Sequence, residues 1–293
     1  MRKILVPTDF SPFAGHAADV AVDLAQKLFA EVHFLTRVPV ATGWDGFKDE
    51  NRIAFPESYN RMVEAKNQFE ALKAKYAHLN VNLHMVYAHQ NLVDSIVGYV
   101  ELNKADLIVM GSKGADGISE LIVGSNTQKV VRFAPCPVLV VKQNTQNIGL
   151  KRIVFASDFS EDIRYPFEKL IALARYTKPV IHLLAVGTPP TFDLPRPVEM
   201  GNMEAFKKVC ESQGISCSIH TFNDVDVERG VSRFAEEVGA DAVAIATTGK
   251  GLFRRMMTGS ISEALVNHLD MPVLTLNTVL KRQEVPELVF FPD

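Results

Sequence analysis

The chain has 293 residues, 47% of them apolar, enough to bury the core of one large domain or two ordinary ones. Its net charge of −3, with both signs mixed along the chain, is too small and too evenly mixed to signal a nucleic-acid or membrane surface. No stretch nears the roughly 18–20 apolar residues of a membrane span, "MRKILVPTDFSPF" lacks a signal-length apolar run, and Cys136, Cys210 and Cys217 lack disulfide or zinc-framework spacing, so the chain reads as cytoplasmic.

In chain order, "ILV" (4–6) predicts a buried strand ending at Pro7-Thr8-Asp9, followed by the amphipathic helix "AGHAADVAVDLAQKLFA" (14–30). "VHFL" (32–35) predicts a second strand ending near Val38, and residues 39–60 read as a polar, aromatic-dotted loop. "VNLHMV" (81–86), "DLIVMG" (106–111) and "PVLVV" (137–141) give the third, fourth and fifth strands, Val, Ile and Leu-rich with little polar alternation.

The chain then repeats itself. "RKILVPTD" (2–9) returns as "KRIVFASD" (151–158), and "EVHFLTRV" (31–38) as "VIHLLAV" (180–186). "ADLIVMGSKG" (105–114) returns as "ADAVAIATTG" (240–249), and "GSNTQKVVRFAPCPVLVV" (124–141) as "GSISEALVNHLDMPVLTL" (259–276). Four blocks in one order predict two copies of one domain, residues 1–143 and 151–277, with "KQNTQNIGLK" (142–151) as linker and a tail over 278–293. The first copy is longer by some 13 residues, placed in the 39–60 stretch. Strands alternating with helices predict two tandem doubly wound α/β domains, each a five-stranded parallel sheet with helices on both faces. Ligands of such sheets sit beyond the carboxyl ends of the strands.

Those ends carry suggestive residues. Gly111 and Gly114 would let backbone N–H groups approach an anion. Gly124 and Ser125 stand where a helix starts, and Asn126 and Thr127 add donors there. Asp9 could accept hydrogen bonds from a base amino group or a ribose hydroxyl. Plainer readings stand beside these: turn glycines, Asp9 or Ser11 as a helix cap, Lys113 as a solvated charge, and His33, His84 and His89 as strand or edge residues without spaced partners. "GSKGADG" does not fit the dinucleotide fingerprint, "GKG" (249–251) lacks the rest of a Walker A loop, and no nucleophile elbow occurs.

On these residues the chain resembles the universal stress protein family in its tandem form. The family's signature of Gly, two residues, Gly, nine residues, Gly and Ser or Thr fits Gly111, Gly114, Gly124 and Ser125. "ILVPTDFS" and "APCPVLVVK" are similar to the family's first and last strands, and the similarity covers almost all of 1–141 and 151–277. The resemblance implies ATP, with or without Mg²⁺, as ligand. Asp9 and Val38 would flank the base beside Pro7 and Thr8. Met110, Gly111, Ser112 and Gly114 would line the ribose and first phosphates, and Gly124, Ser125, Asn126 and Thr127 would hold the outer ones. In the second copy Ala246 replaces the first glycine and Thr247-Thr248 precede Gly249, while Asp158, Gly259 and Ser260 remain. Arg254 and Arg255 are either phosphate partners or an exposed face. One ATP per chain is therefore expected, in the first copy.

The leading expectation is a nucleotide-dependent regulatory or binding module in a stress response. A slow ATPase or transferase, with Asp9 or Ser125 on Mg²⁺, and an interaction module with vestigial sites are the alternatives. The two copies should pair through 137–141 and 272–276, as the family's domains commonly do. A homodimer would then use another face, with the tail 283–293 either joining it or folding back on its own domain. Unidentified protein partners, but neither nucleic acid nor membrane, complete the expectation.

Overall fold

The structure, a computed structural model, describes residues 1–112, 124–142, 149–159, 163–189, 197–246 and 261–277. Ten strands are present among them: β1 (Lys3–Pro7), β2 (Glu31–Arg37), β3 (Leu83–Ala88), β4 (Leu107–Gly111), β5 (Val138–Val141), β6 (Arg152–Ala156), β7 (Val180–Gly187), β8 (Ser216–Asn223), β9 (Ala242–Ala246) and β10 (Val273–Leu276). They form one sheet in the order β3-β2-β1-β4-β5-β10-β9-β6-β7-β8. All pairs within a copy are parallel. Strand order reverses beside β1, which has β2 on one side and β4 on the other, the switch point where such sheets bind ligands.

The helices follow in chain order as α1 (Pro12–Leu28), α2 (Asp49–Arg52), α3 (Pro56–Tyr76), α4 (Leu92–Asn103), α5 (Ser125–Phe133), α6 (Arg164–Thr177), α7 (Pro197–Ser212), α8 (Val227–Glu237) and α9 (Ile261–His268). Side chains alternate across the strands, so each face has its own core. Ile4, Val6, Phe34, Val109 and Phe155 pack with residues of α1, α3, α6 and α7. Leu5, Leu35, Ile108, Met110 and Val154 pack with residues of α4, α5, α8 and α9. Corresponding helices of the two copies thus cover the same face, as a twofold axis normal to the sheet requires. None of these helices is long and apolar enough to cross a membrane.

The joint between the copies is antiparallel, with Val273 opposite Val140, Leu274 opposite Leu139 and Thr275 opposite Val138. This is the strand pairing anticipated from order, and it removes two edges that would otherwise be open. Corresponding residues then cap each other's copy. Lys142 Nζ donates to the Val266 and Asn267 carbonyls at 2.6 and 2.8 Å, at the end of α9. Asn277 Nδ2 donates to the Val131 and Ala134 carbonyls at 2.6 and 3.2 Å, at the end of α5. Such donors satisfy carbonyls that a helix leaves unpaired at its C-terminus. Burial pushes the Lys142 ammonium down to about 8.

Residues 39–60 are not the plain loop that their polarity suggests. Trp44–Gly46 form a 3₁₀ turn, α2 follows, and α3 starts at Pro56, whose fixed φ suits a first helical turn. The aromatic residues organise the segment: Trp44 is buried, and Phe47 stacks on Phe55 with ring centroids 5.1 Å apart. His89 ties it to the sheet, its Nδ1 2.9 Å from the Val38 carbonyl oxygen and its Nε2 3.0 Å from Asp45 Oδ1.

Candidate functional site

A cleft of about 570 Å³ opens at the carboxyl ends of β1, β2 and β4, within the usual range for small-molecule sites. Its floor begins with the turn out of β1. Thr8 N–H extends the ladder to the Leu35 carbonyl at 2.8 Å, and Thr8 Oγ1 accepts from Phe10 N–H at 3.0 Å. Asp9 Oδ1 accepts from Ser11 N–H at 3.0 Å. These side-chain bonds replace a backbone turn and hold Phe10 in the left-handed region, at φ 58°. Ser11, rather than Asp9, caps α1 by accepting from Ala14 N–H at 3.3 Å. Asp9 is therefore exposed, with Oδ2 unpartnered among the described residues. The second copy builds the same turn: Ser157 Oγ accepts from Phe159 N–H at 3.2 Å, and Phe159 has φ 53°.

Beside this turn, β4 delivers Met110, Gly111 and Ser112. A Cβ on Gly111 would collide with the Phe13 carbonyl oxygen and stand 2.8 Å from its carbon, both backbone atoms of α1. The glycine is thus required first by helix-on-strand packing, whereas the sequence suggested approach to an anion. Ser112 is buried, and both its N–H and its Oγ donate to the Val141 carbonyl, at 2.9 and 3.3 Å. Its hydroxyl proton is committed to the sheet.

Gly124 presents the opposite case. Its φ of −55° is open to any residue, and a Cβ there would meet nothing within 4 Å among the described residues. Among these residues neither backbone strain nor packing asks for glycine at this position, which leaves room beside the start of α5. No side chain among the described residues caps that helix, and its first turn carries no acidic residue. The first helical bond is Gln128 N–H to the Gly124 carbonyl, 3.1 Å, which leaves the N–H groups of Ser125, Asn126 and Thr127 without partners among the described residues. Such a terminus carries partial positive charge. Ser125 and Asn126 are exposed, while the Thr127 side chain is buried.

The cleft thus brings together Pro7, Thr8, Asp9, Val38, Met110, Gly111, Ser112, Gly124, Ser125, Asn126 and Thr127. Gly114 and Lys113 lie outside the described residues, as do Thr247, Thr248, Gly249, Arg254, Arg255, Gly259, Ser260 and the tail 283–293. Sequence reasoning missed the wall formed by α3, where Arg61, Glu64 and Gln68 line the cleft. Arg61 Nη1 donates to the Pro39 carbonyl at 3.2 Å, placing a cation at the rim. Only helical periodicity over 56–76 could have suggested this wall.

In the second copy, Ala246 is buried at the end of β9, in the position of Gly111. In this copy α6 begins at Arg164, three positions later than α1 does at Pro12. Asp158 remains half-buried after the Ser157 turn.

The sequence profile of the universal stress protein family matches twice, over residues 1–142 and 149–277. Among curated proteins, a universal stress protein of Synechocystis is 22% identical over 293 residues, spanning 94% of this chain and 99% of its own. One from Methanocaldococcus jannaschii is 35% identical over 145 residues, 48% of this chain and 82% of its own. The crystal structure of a universal stress protein from Archaeoglobus fulgidus superposes with a TM-score of 0.71 at 19% identity, covering 94% of this chain and 98% of that one, a likeness of fold. Two profile matches that together span nearly the whole length place this chain in the universal stress protein family.

Proposed function

We propose that the chain is a nucleotide-binding stress protein acting in the cytoplasm, which holds one ATP per chain in the cleft of its first copy and responds as a regulatory or binding module. The observation that carries this reading is the convergence of an uncapped helix start, an open glycine and an apolar strand-end wall on one cleft. Val38 and Met110 supply an apolar surface for a base, and Asp9 Oδ2 is an acceptor for its amino group or for a ribose hydroxyl. The N–H groups of Ser125, Asn126 and Thr127 suit phosphate oxygens. In this reading residues 1–143 are the nucleotide-binding unit, 151–277 a second unit with a degenerate motif, and 278–293 a tail. Mass analysis of small molecules released on denaturing the purified protein tests it directly: an adenine nucleotide is expected. Protein that releases none, and shows no heat on titration with ATP, would remove the proposal.

A slow ATPase is the second reading, and the unpartnered oxygen of Asp9 is the observation favouring it, since Mg²⁺ takes carboxylate and phosphate oxygens. Phosphate release that is lost in Asp9→Asn distinguishes turnover from binding alone. The joint between β5 and β10 already consumes one sheet edge of each copy, so a homodimer would use another face. Solution mass, with and without residues 283–293, decides whether a dimer forms and whether the tail contributes.

A further inference from the structure

We infer that Glu31, His33 and His84 form a divalent transition-metal site, best suited to Zn²⁺, at the sheet end opposite the nucleotide cleft. Glu31 and His33 lie two residues apart on β2 and so point to the same face. Parallel register places His84 of β3 directly opposite His33. The two imidazoles stack with centroids 4.5 Å apart. His33 Nε2 lies 3.1 Å from Glu31 Oε1, and His84 Nε2 lies 3.5 Å from Glu31 Oε2. One ligand atom from each residue falls within 4.8 Å of the others. Tetrahedral zinc, with bonds of about 2.0–2.2 Å to nitrogen and oxygen, requires ligand atoms about 3.3–3.5 Å apart. The stacked rings do not aim both Nε2 lone pairs at one point, so the half-exposed His84 ring must turn toward Glu31 to meet that demand.

A second, independent observation points to a ligand. His33 is 8% exposed, and its Nε2 is buried without a hydrogen-bond partner despite its nearness to the carboxylate. Its 3.1 Å approach to Glu31 Oε1 is an ion-pair contact without hydrogen-bond alignment, so the buried nitrogen recovers little of its desolvation, and a metal ion would use its lone pair. The other ring nitrogen is held, since His33 Nδ1 meets the Tyr99 hydroxyl. Metal binding through Nε2 requires the tautomer with its proton on Nδ1, donated to Tyr99 Oη, an outer-shell contact of the kind that orients zinc-bound histidines. The side chains of His84 and Glu31 are 48% and 34% exposed, which gives an ion an entry path and a solvent-facing fourth position for water. Lys3 Nζ, 3.5 Å from Glu31 Oε1, is the cation that Zn²⁺ would displace.

The site belongs to the first copy alone. In the second copy Val180 stands at the position of Glu31, and His182 has Ser218 as its register partner. His182 and His220 instead bond through Ser218 Oγ, at 3.0 and 2.7 Å. Glu31 opens β2 and the cleft lies at its other end, about 20 Å away at roughly 3.3 Å per residue. A bound ion would clip the edge strand β3 to β2.

The test uses the full chain, stripped with chelator and titrated with Zn²⁺ against a chromophoric competitor, alongside Glu31→Gln, His84→Ala and His182→Ala. One Zn²⁺ per wild-type chain is expected, weakened about 10–100-fold or more by either first-copy change and unaltered by His182→Ala. Glu31 and His84 are partly exposed, so the variants should fold, and their circular dichroism checks this. Co²⁺ in place of zinc should give intense tetrahedral visible bands that disappear in His84→Ala. Absence of stoichiometric binding, or binding equally tight in Glu31→Gln and His84→Ala, would overturn the assignment.

Discussion

Replacing Gly111 with alanine should damage both stability and binding, and the structure sets the scale. The new Cβ would stand 2.8 Å from the Phe13 carbonyl carbon and closer still to its oxygen, against about 3.5–4.0 Å for a relaxed carbon contact. Gly111 is held in β4 by pairing with Val141 of β5, so the start of α1 must retreat by about 1 Å. Overpacking of this kind costs about 1–3 kcal/mol. Alanine's smaller conformational entropy loss offsets roughly 0.5–1 of that, leaving a net loss of about 0–2.5 kcal/mol, centred near 1. The same retreat moves the Asp9–Ser11 turn, which lies just before α1 in the cleft, so ATP affinity should fall at least about tenfold, since misplacement of this size is costly in a preformed site. Urea denaturation and calorimetry on the purified variant read the two effects separately. A Gly111→Ala protein as stable as wild type, with unchanged affinity, would refute the packing argument for this glycine.

Gly124→Val is the complementary change: with nothing within 4 Å among the described residues and φ at −55°, stability should fall by no more than about 1 kcal/mol, the cost of a poorer helix N-cap, while ATP binding is lost, as denaturation and calorimetry would show. Ser11→Ala removes the cap of α1 and should cost about 1 kcal/mol by urea denaturation. Lys142 carries a folded-state pKa lowered to about 8 from 10.5. The unfolded chain therefore binds more protons between those values, and stability rises with pH across that window. Wild type should gain up to about 3 kcal/mol relative to Lys142→Met from below pH 8 to about pH 10.5, and parallel stability curves would contradict this.

The strands were readable because a parallel sheet buried on both faces needs continuous apolar runs, and "ILV", "DLIVMG" and "PVLVV" are such runs. Repetition made the second copy readable from the first. The positions Gly111 and Gly124 were visible as well, but not their different surroundings: one glycine answers to Phe13 backbone, the other to space left open by the described residues. Such surroundings depend on where α1 and α5 dock, which no local pattern encodes. His33 and His84 looked isolated because 51 residues separate them, and only the β2–β3 register brings them into contact. The α3 wall escaped notice because it follows the insertion unique to the first copy. Residues 39–60 looked like a loop because polar composition masked the packing of Trp44, Phe47 and Phe55.

Titration of ATP into nucleotide-free full-length protein tests the central claim most directly. The account predicts one site per chain, abolished by Gly124→Val and unaffected by Asp158→Ala. No measurable binding, two equivalent sites, or a single site that survives Gly124→Val and disappears with Asp158→Ala would contradict it.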